Sequence, residues 1–249
     1  MTTEGALTGK VALVTGGSRG LGREMVLAFA DAGADVVIAS RKIDNCKAVA
    51  AEVEERGRRA LPVACHVGHW DEMEGLVADA YDTFGKVDVL VNNAGMSPLY
   101  PDLTSVTEEL WDKVLGVNLK GPFRLTALVG TRMVADGGGS IINVSSTGSI
   151  RPLPHMLPYD AAKAGLNTLT EGFAKAFGPT VRVNCIMAGP FLTDISKAWD
   201  PKTLEGGMPH HALGRAGEPP EIVGAALFLA TDASSFTTGA LLRVDGGIP

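Results

Sequence analysis

The stretch Val11–Gly22, VALVTGGSRGLG, decides the fold. Its first five residues are aliphatic or β-branched, the composition of a short buried strand. Gly16, Gly20 and Gly22 follow, and a helical pattern starts within the same run. Glycine permits a tight turn and lets the backbone come close to a phosphate. The helix beyond presents unpaired N–H donors and the positive end of its dipole. A strand before and a helix after are the context in which a glycine-rich turn cradles a pyrophosphate. Gly16, Ser18, Arg19, Gly20, Leu21 and Gly22 are its candidate contacts. The spacing, with three residues between the first two glycines, departs from GxGxxG.

Working outward, strand-like runs recur at 11–15, 34–39, 60–65, 87–92, 140–145, 181–186 and 240–244. Helical stretches separate them, among them 20–32, 44–56 and 70–84, each followed by a glycine stop at Gly33, Gly57 or Gly85. Several strand runs are apolar at both alternating positions, as in a parallel sheet covered on both faces. The alternation predicts an α/β protein with one doubly wound sheet of seven parallel strands. With 249 residues the chain fits a single domain over 1–249. The Pro- and Gly-rich segment at about 190–215 breaks the rhythm and reads as an insertion covering a site.

A formal net charge of -6 argues against nucleic-acid binding. No apolar run reaches the ~18 residues of a membrane span. The start, MTTEGALTGK, lacks the basic and apolar regions of a secretory signal. Cys46, Cys65 and Cys185 are unpaired in pattern, which fits a reducing compartment and a cytoplasmic protein. No metal site is expected, since His210 and His211 have no carboxylate or cysteine at ligand spacing.

About 20 residues past the turn an acidic side chain would hold the ribose hydroxyls of NAD. Here the sequence is Ser40-Arg41-Lys42, and Arg19 adds a further cation from the turn. Guanidinium groups pair well with phosphate, so the reading is NADP(H) rather than NAD(H). Further on, Tyr159 and Lys163 stand at i and i+4 in PYDAAKAGLN, one face of a helix. An ammonium beside a phenol favours phenolate, which predicts a Tyr159 pKa lowered towards neutrality and suited to proton transfer.

Together TGGSRGLG (15–22), NNAG (92–95), Asn118, the serine of INVSS, YDAAK (159–163), GRAGEPPEI and VDGG resemble the short-chain dehydrogenase/reductase family over essentially the whole chain. The resemblance implies a Rossmann-type fold and hydride transfer between a nicotinamide cofactor and a carbonyl or secondary alcohol. It assigns Tyr159 as proton donor or acceptor, with Lys163 lowering its pKa and holding the nicotinamide ribose. Asn118 would fix a water linking Lys163 to solvent, and a serine would hydrogen-bond the substrate oxygen. Ser146 is chosen over Ser145 by its distance from Tyr159, and strand alternation lets only one of the two face the substrate. Asn93, Ala94 and Gly95 would lie beside the cofactor, with Gly189, Pro190 and Thr193 after the sixth strand.

There are departures from the family pattern. His66 stands where an acidic residue often holds the adenine, leaving the Val67 backbone as a contact; Ala188-Gly189-Pro190 replaces the usual Pro-Gly. Arg151 and His155 could touch substrate or belong only to their loop. The expected substrate is a small molecule, either a 3-oxoacyl thioester, as in 3-oxoacyl reductases, or a sugar or polyol, as in glucose and gluconate dehydrogenases. The alternative from another class is a non-catalytic nicotinamide-cofactor-binding sensor protein. A homotetramer is implied by the resemblance alone.

Overall fold

A computed structural model describes residues 5–194, 196, 208 and 211–249. Seven strands form one sheet: β1 (Val11–Thr15), β2 (Asp35–Ser40), β3 (Ala60–Ala64), β4 (Val89–Asn92), β5 (Gly139–Ser146), β6 (Val181–Ala188) and β7 (Leu241–Val244). All neighbouring pairs are parallel, in the order β3-β2-β1-β4-β5-β6-β7. The seven strand runs read from the sequence are thus the seven strands of the sheet. Among the described residues the helices are α1 (Gly20–Asp31), α2 (Ile43–Glu55), α3 (Glu72–Phe84), α4 (Glu108–Leu115), α5 (Gly121–Ala135), α6 (Leu157–Phe177) and α7 (Val223–Ala230).

Strand alternation divides the core in two. Ala12 and Val14 pack with Met25, Val26 and Phe29 of α1 and Leu229 of α7. Val11 and Leu13 pack with Met73 and Leu76 of α3 and Leu125 and Val129 of α5. Both faces of the sheet are therefore covered, and this explains why several of its strands are apolar at both alternating positions. Glycine ends the helices as expected: Gly33, Gly57 and Gly85 have φ of 100°, 72° and 77°.

Sheet growth reverses between β1 and β4, and in such sheets ligands bind beyond the carboxyl ends of the strands at the reversal. A polar seam locks this region. Asn92 donates from Nδ2 to Thr126 Oγ1 and to Asn143 Oδ1, both at 2.9 Å, and Asn143 donates to Thr170 Oγ1 at 2.9 Å. The seam ties β4 and β5 to α5 and α6 through buried amides, with Asn92 Oδ1 left without a partner among the described residues. The segment expected to cover the site, 190–215, falls largely outside the described residues.

Candidate active site

The phosphate turn is shaped by close approach. Gly16 and Gly20 have φ of 64° and 52°, a region L side chains rarely enter. A Cβ on Gly22 would stand 2.2 Å from the Gly16 carbonyl oxygen. At the head of α1, Arg19 makes no side-chain cap bond and the first turn holds no acidic residue. Such an end, with its donors uncapped and no competing carboxylate, suits an anion, so the turn fits the pyrophosphate of a dinucleotide.

Thr15, which the sequence reading passed over, fixes the turn against β4. Its hydroxyl donates to the Val91 carbonyl and accepts from the Asn93 and Ala94 amides at 3.0 and 3.1 Å. Asn93 Nδ2 returns a bond to the Thr15 carbonyl at 2.9 Å. A strand-end threonine followed by glycines was the available signal. A cleft of about 490 Å³ opens beside the turn between Ser18, Arg19 and Gly20 and the segment Leu192–Asp194. Thr193 lines it, and Arg19 reaches across to Asp194 at 3.4 Å. Gly189 continues the β6 ladder through its N–H to the Val244 carbonyl and packs so closely on Asp245 that a Cβ would meet its Cα at 2.5 Å. The Pro190 carbonyl accepts from Gly217 N.

At the end of β2, Ser18 Oγ donates to Ser40 Oγ at 2.9 Å, closing the turn onto that strand. Arg41 and Lys42 are exposed beside it. His66 stacks on His69 with ring centroids 4.2 Å apart. Burial, with His69 and Arg41 nearby, holds its pKa below the ordinary value. Glu72 accepts from the His66 amide at 2.7 Å and pairs with His69. The position after β3 thus presents a neutral imidazole rather than a carboxylate. Val67 lies against α5, its carbonyl so close that a Cβ on Gly121 would overlap it.

Tyr159 and Lys163 lie on the first turns of α6, and Ser146 ends β5. Ser146 stands beside the Tyr159 phenol, lowering its pKa, and accepts from Gly148 N at 3.1 Å. Ser145 is buried the other way, donating to the Lys163 carbonyl at 3.1 Å. Strand alternation thus sends Ser146 to the tyrosine and Ser145 to the helix backbone. Asn118 is fully buried in a π turn, Gly116–Lys120, that joins α4 to α5. It donates to the Met96 and Val114 carbonyls at 2.8 and 2.9 Å and accepts from Met96 N. A Cβ on Gly95 would lie 3.0 Å from Asn118 Oδ1 and 3.7 Å from Lys163 Nζ, so these three residues share one small space.

The electrostatics correct one expectation. Lys163 Nζ donates to the Val144 carbonyl at 2.7 Å and lies 5.7 Å from the Tyr159 ring centroid. Burial pushes the lysine down to about 8 and the tyrosine up to about 12. The lysine does not draw the phenol towards neutrality here, because desolvation penalises both charges. The group that pulls the phenol down is the Ser146 hydroxyl.

Asp160 is a second omission of the sequence reading. Its side chain is buried, and burial raises its pKa. One oxygen accepts from Leu153 N at 2.8 Å, and the other has no partner among the described residues. Tyr100 is a third: its phenol donates to the Pro154 carbonyl and accepts from Leu157 N, both at 2.9 Å. Asp160 and Tyr100 together pin the loop that leads into α6. A buried carboxylate and a tyrosine used as a backbone cap carry no pattern in a single sequence. Of the loop residues left open, Arg151 is engaged with the Pro249 carbonyl at 2.7 Å, and His155 lines a second cleft with Tyr100.

The sheet order, phosphate turn and tyrosine-lysine pair define a nucleotide-dependent oxidoreductase. Residues 16–249 match the family model described as Enoyl-(Acyl carrier protein) reductase. Dehydrogenase/reductase SDR family member 4 of Pongo abelii is 38% identical over 252 residues, covering 100% of this chain and 91% of the relative. The 3-oxoacyl-(acyl-carrier-protein) reductase of Thermotoga maritima is 37% identical over 243 residues, covering 97% and 98%. A 7α-hydroxysteroid dehydrogenase solved with NADH and 7-oxo glycochenodeoxycholic acid superposes with a TM-score of 0.94 at 32% identity, covering 99% of this chain and 97% of that one. The chain belongs to the short-chain dehydrogenase/reductase family and is a dehydrogenase/reductase enzyme. Among the described residues no helix is long and apolar enough to cross a membrane.

Proposed function

We propose that this enzyme reduces the carbonyl of a small substrate with NADPH, Tyr159 giving the proton. The observation that carries the reading is the convergence of Tyr159 and Ser146 at the carboxyl edge of the sheet, with Lys163 one turn along the same helix and 5.7 Å from the Tyr159 ring. The bound nicotinamide supplies the hydride. Ser146 donates to the substrate oxygen and stabilises the charge that develops there. Tyr159 protonates that oxygen. A phenol held at about 12 is protonated at neutral pH and can donate to that oxygen. Lys163 would hold the nicotinamide ribose, and Asn118 fixes the backbone of Met96. Val67 and His66 would contact the adenine. A homotetramer is part of the same proposal.

The cofactor preference rests on charge. Arg41 and Lys42 stand exposed directly after Ser40 of β2, where no acidic side chain follows the strand, and Arg19 lines the cleft beside the phosphate turn. Titration of NADPH and NADH into the protein should give the tighter constant for NADPH; tighter NADH binding removes the assignment. Tyr159→Phe should leave NADPH affinity unchanged and lower turnover by roughly 10²–10⁴-fold. Turnover within tenfold of the wild type would take the proton-donor role from Tyr159.

A further inference from the structure

We propose that the cleft walled by Tyr100, Pro101, Leu103, Pro154 and His155 receives the apolar body of the substrate, so that the favoured carbonyl compounds carry a hydrocarbon chain or ring rather than a row of hydroxyls. This rests on the carbonyl-reductase reading above and names its substrate class. The cleft holds about 510 Å³, within the ~300–1,000 Å³ of small-molecule sites.

Two observations carry the inference. The cleft lies against the loop that leads to the proton donor: Tyr100, in its wall, bonds that loop at Pro154 and Leu157, and Leu157 opens α6 two residues before Tyr159. Ser97 reaches the same loop, its hydroxyl pointing to Met156 Sδ at 3.5 Å. Secondly, the polar groups of the walls are already engaged. The Tyr100 hydroxyl makes both of its bonds to backbone, and Asp102 is used by Thr104 Oγ1 at 2.7 Å and Ser105 N at 2.9 Å. Leu103 of the lining is 60% exposed, and Leu99, Leu153 and Leu157, close to lining residues along the chain, are 49%, 45% and 39% exposed. A polyol placed there would leave hydroxyls without partners, which costs binding free energy, whereas a hydrocarbon would cover the leucines. His155 also lines the cleft and is exposed.

The test is a series of straight-chain methyl ketones, from butanone to decan-2-one, set beside fructose and followed by NADPH consumption. Within the series kcat/KM should rise by up to about fourfold for each methylene buried, until the cleft is full. Fructose should fall below the long ketones. Leu103→Asn, at an exposed position, should flatten the rise while leaving butanone unchanged. Calorimetric titration of nonanamide, which is not reduced, should show binding with a negative heat-capacity change that Leu103→Asn weakens. A flat series, or fructose as the best substrate, overturns the cleft assignment and leaves the carbonyl-reductase reading intact. If neither cofactor supports reduction of any carbonyl, that reading fails by itself. The nonanamide titration then decides the cleft, and no binding, or binding indifferent to Leu103→Asn, rejects it.

Discussion

Lys163 and Tyr159 are each pushed by burial towards the uncharged form, one down to about 8 and the other up to about 12. The sign for Lys163 follows from proton release. Between about 8 and its ordinary 10.5 the folded protein has lost a proton that the unfolded chain still holds. Stability from this group therefore rises with pH through that window and is flat below it. Urea denaturation at pH 7 and pH 10 without cofactor should show the wild type gaining about 2 kcal/mol relative to Lys163→Met. A wild-type change no larger than the variant's would refute the depressed value. The pair's spacing was legible from helix periodicity; strand periodicity said that only one of Ser145 and Ser146 faces the tyrosine, and the distance found in the family picked Ser146. The direction of the tyrosine shift was not legible. Periodicity says which side chains meet but not how deeply they are buried, and here depth outweighs proximity.

At the scale of elements, the strand, turn and helix of residues 11–31 were legible because each carries its own chemistry: apolar run, glycines, amphipathic pattern. The π turn at Asn118 was not, since widening a helix by one residue leaves no mark in composition, and such turns often sit at functional sites. The phosphate turn also makes a sharp prediction. A methyl on Gly22 would meet the Gly16 carbonyl at 2.2 Å, and that atom is backbone, which cannot swing aside. Gly22→Ala should lower NADPH affinity at least tenfold while Tyr159→Phe does not, as read by fluorescence titration. Equal affinity in Gly22→Ala and wild type would place the cofactor elsewhere. The loop before α6 was the least legible element, because it is held by Tyr100 and Asp160, contacts set by tertiary packing rather than local sequence.

For the whole molecule, alternation of strand and helix was enough to read the doubly wound sheet, since that topology is the economical way to cover both faces of a parallel sheet. Association between copies is not written in any local pattern. Its physical support is a ridge in which Trp70 and Phe123 lie 6.4 Å apart, Phe123 and Phe173 5.5 Å, and Phe173 and Phe177 5.4 Å. Trp70 and Phe123 are 37% and 41% exposed. Light scattering at micromolar concentration should give about four times the 25.9 kDa chain mass, and Phe123→Glu should reduce it. A wild-type monomer would end the tetramer proposal.

Thr15 has a consequence for motion. One hydroxyl joins the end of β1 to the end of β4, across the point where the sheet reverses its growth. The two halves are thus welded at the seam along which a two-lobed protein would open. Nicotinamide and substrate cannot be admitted by a clamshell movement of one half against the other. Such a movement would have to break these bonds together with the β1–β4 ladder, so the floor of the cleft is the part of the site built to stay still.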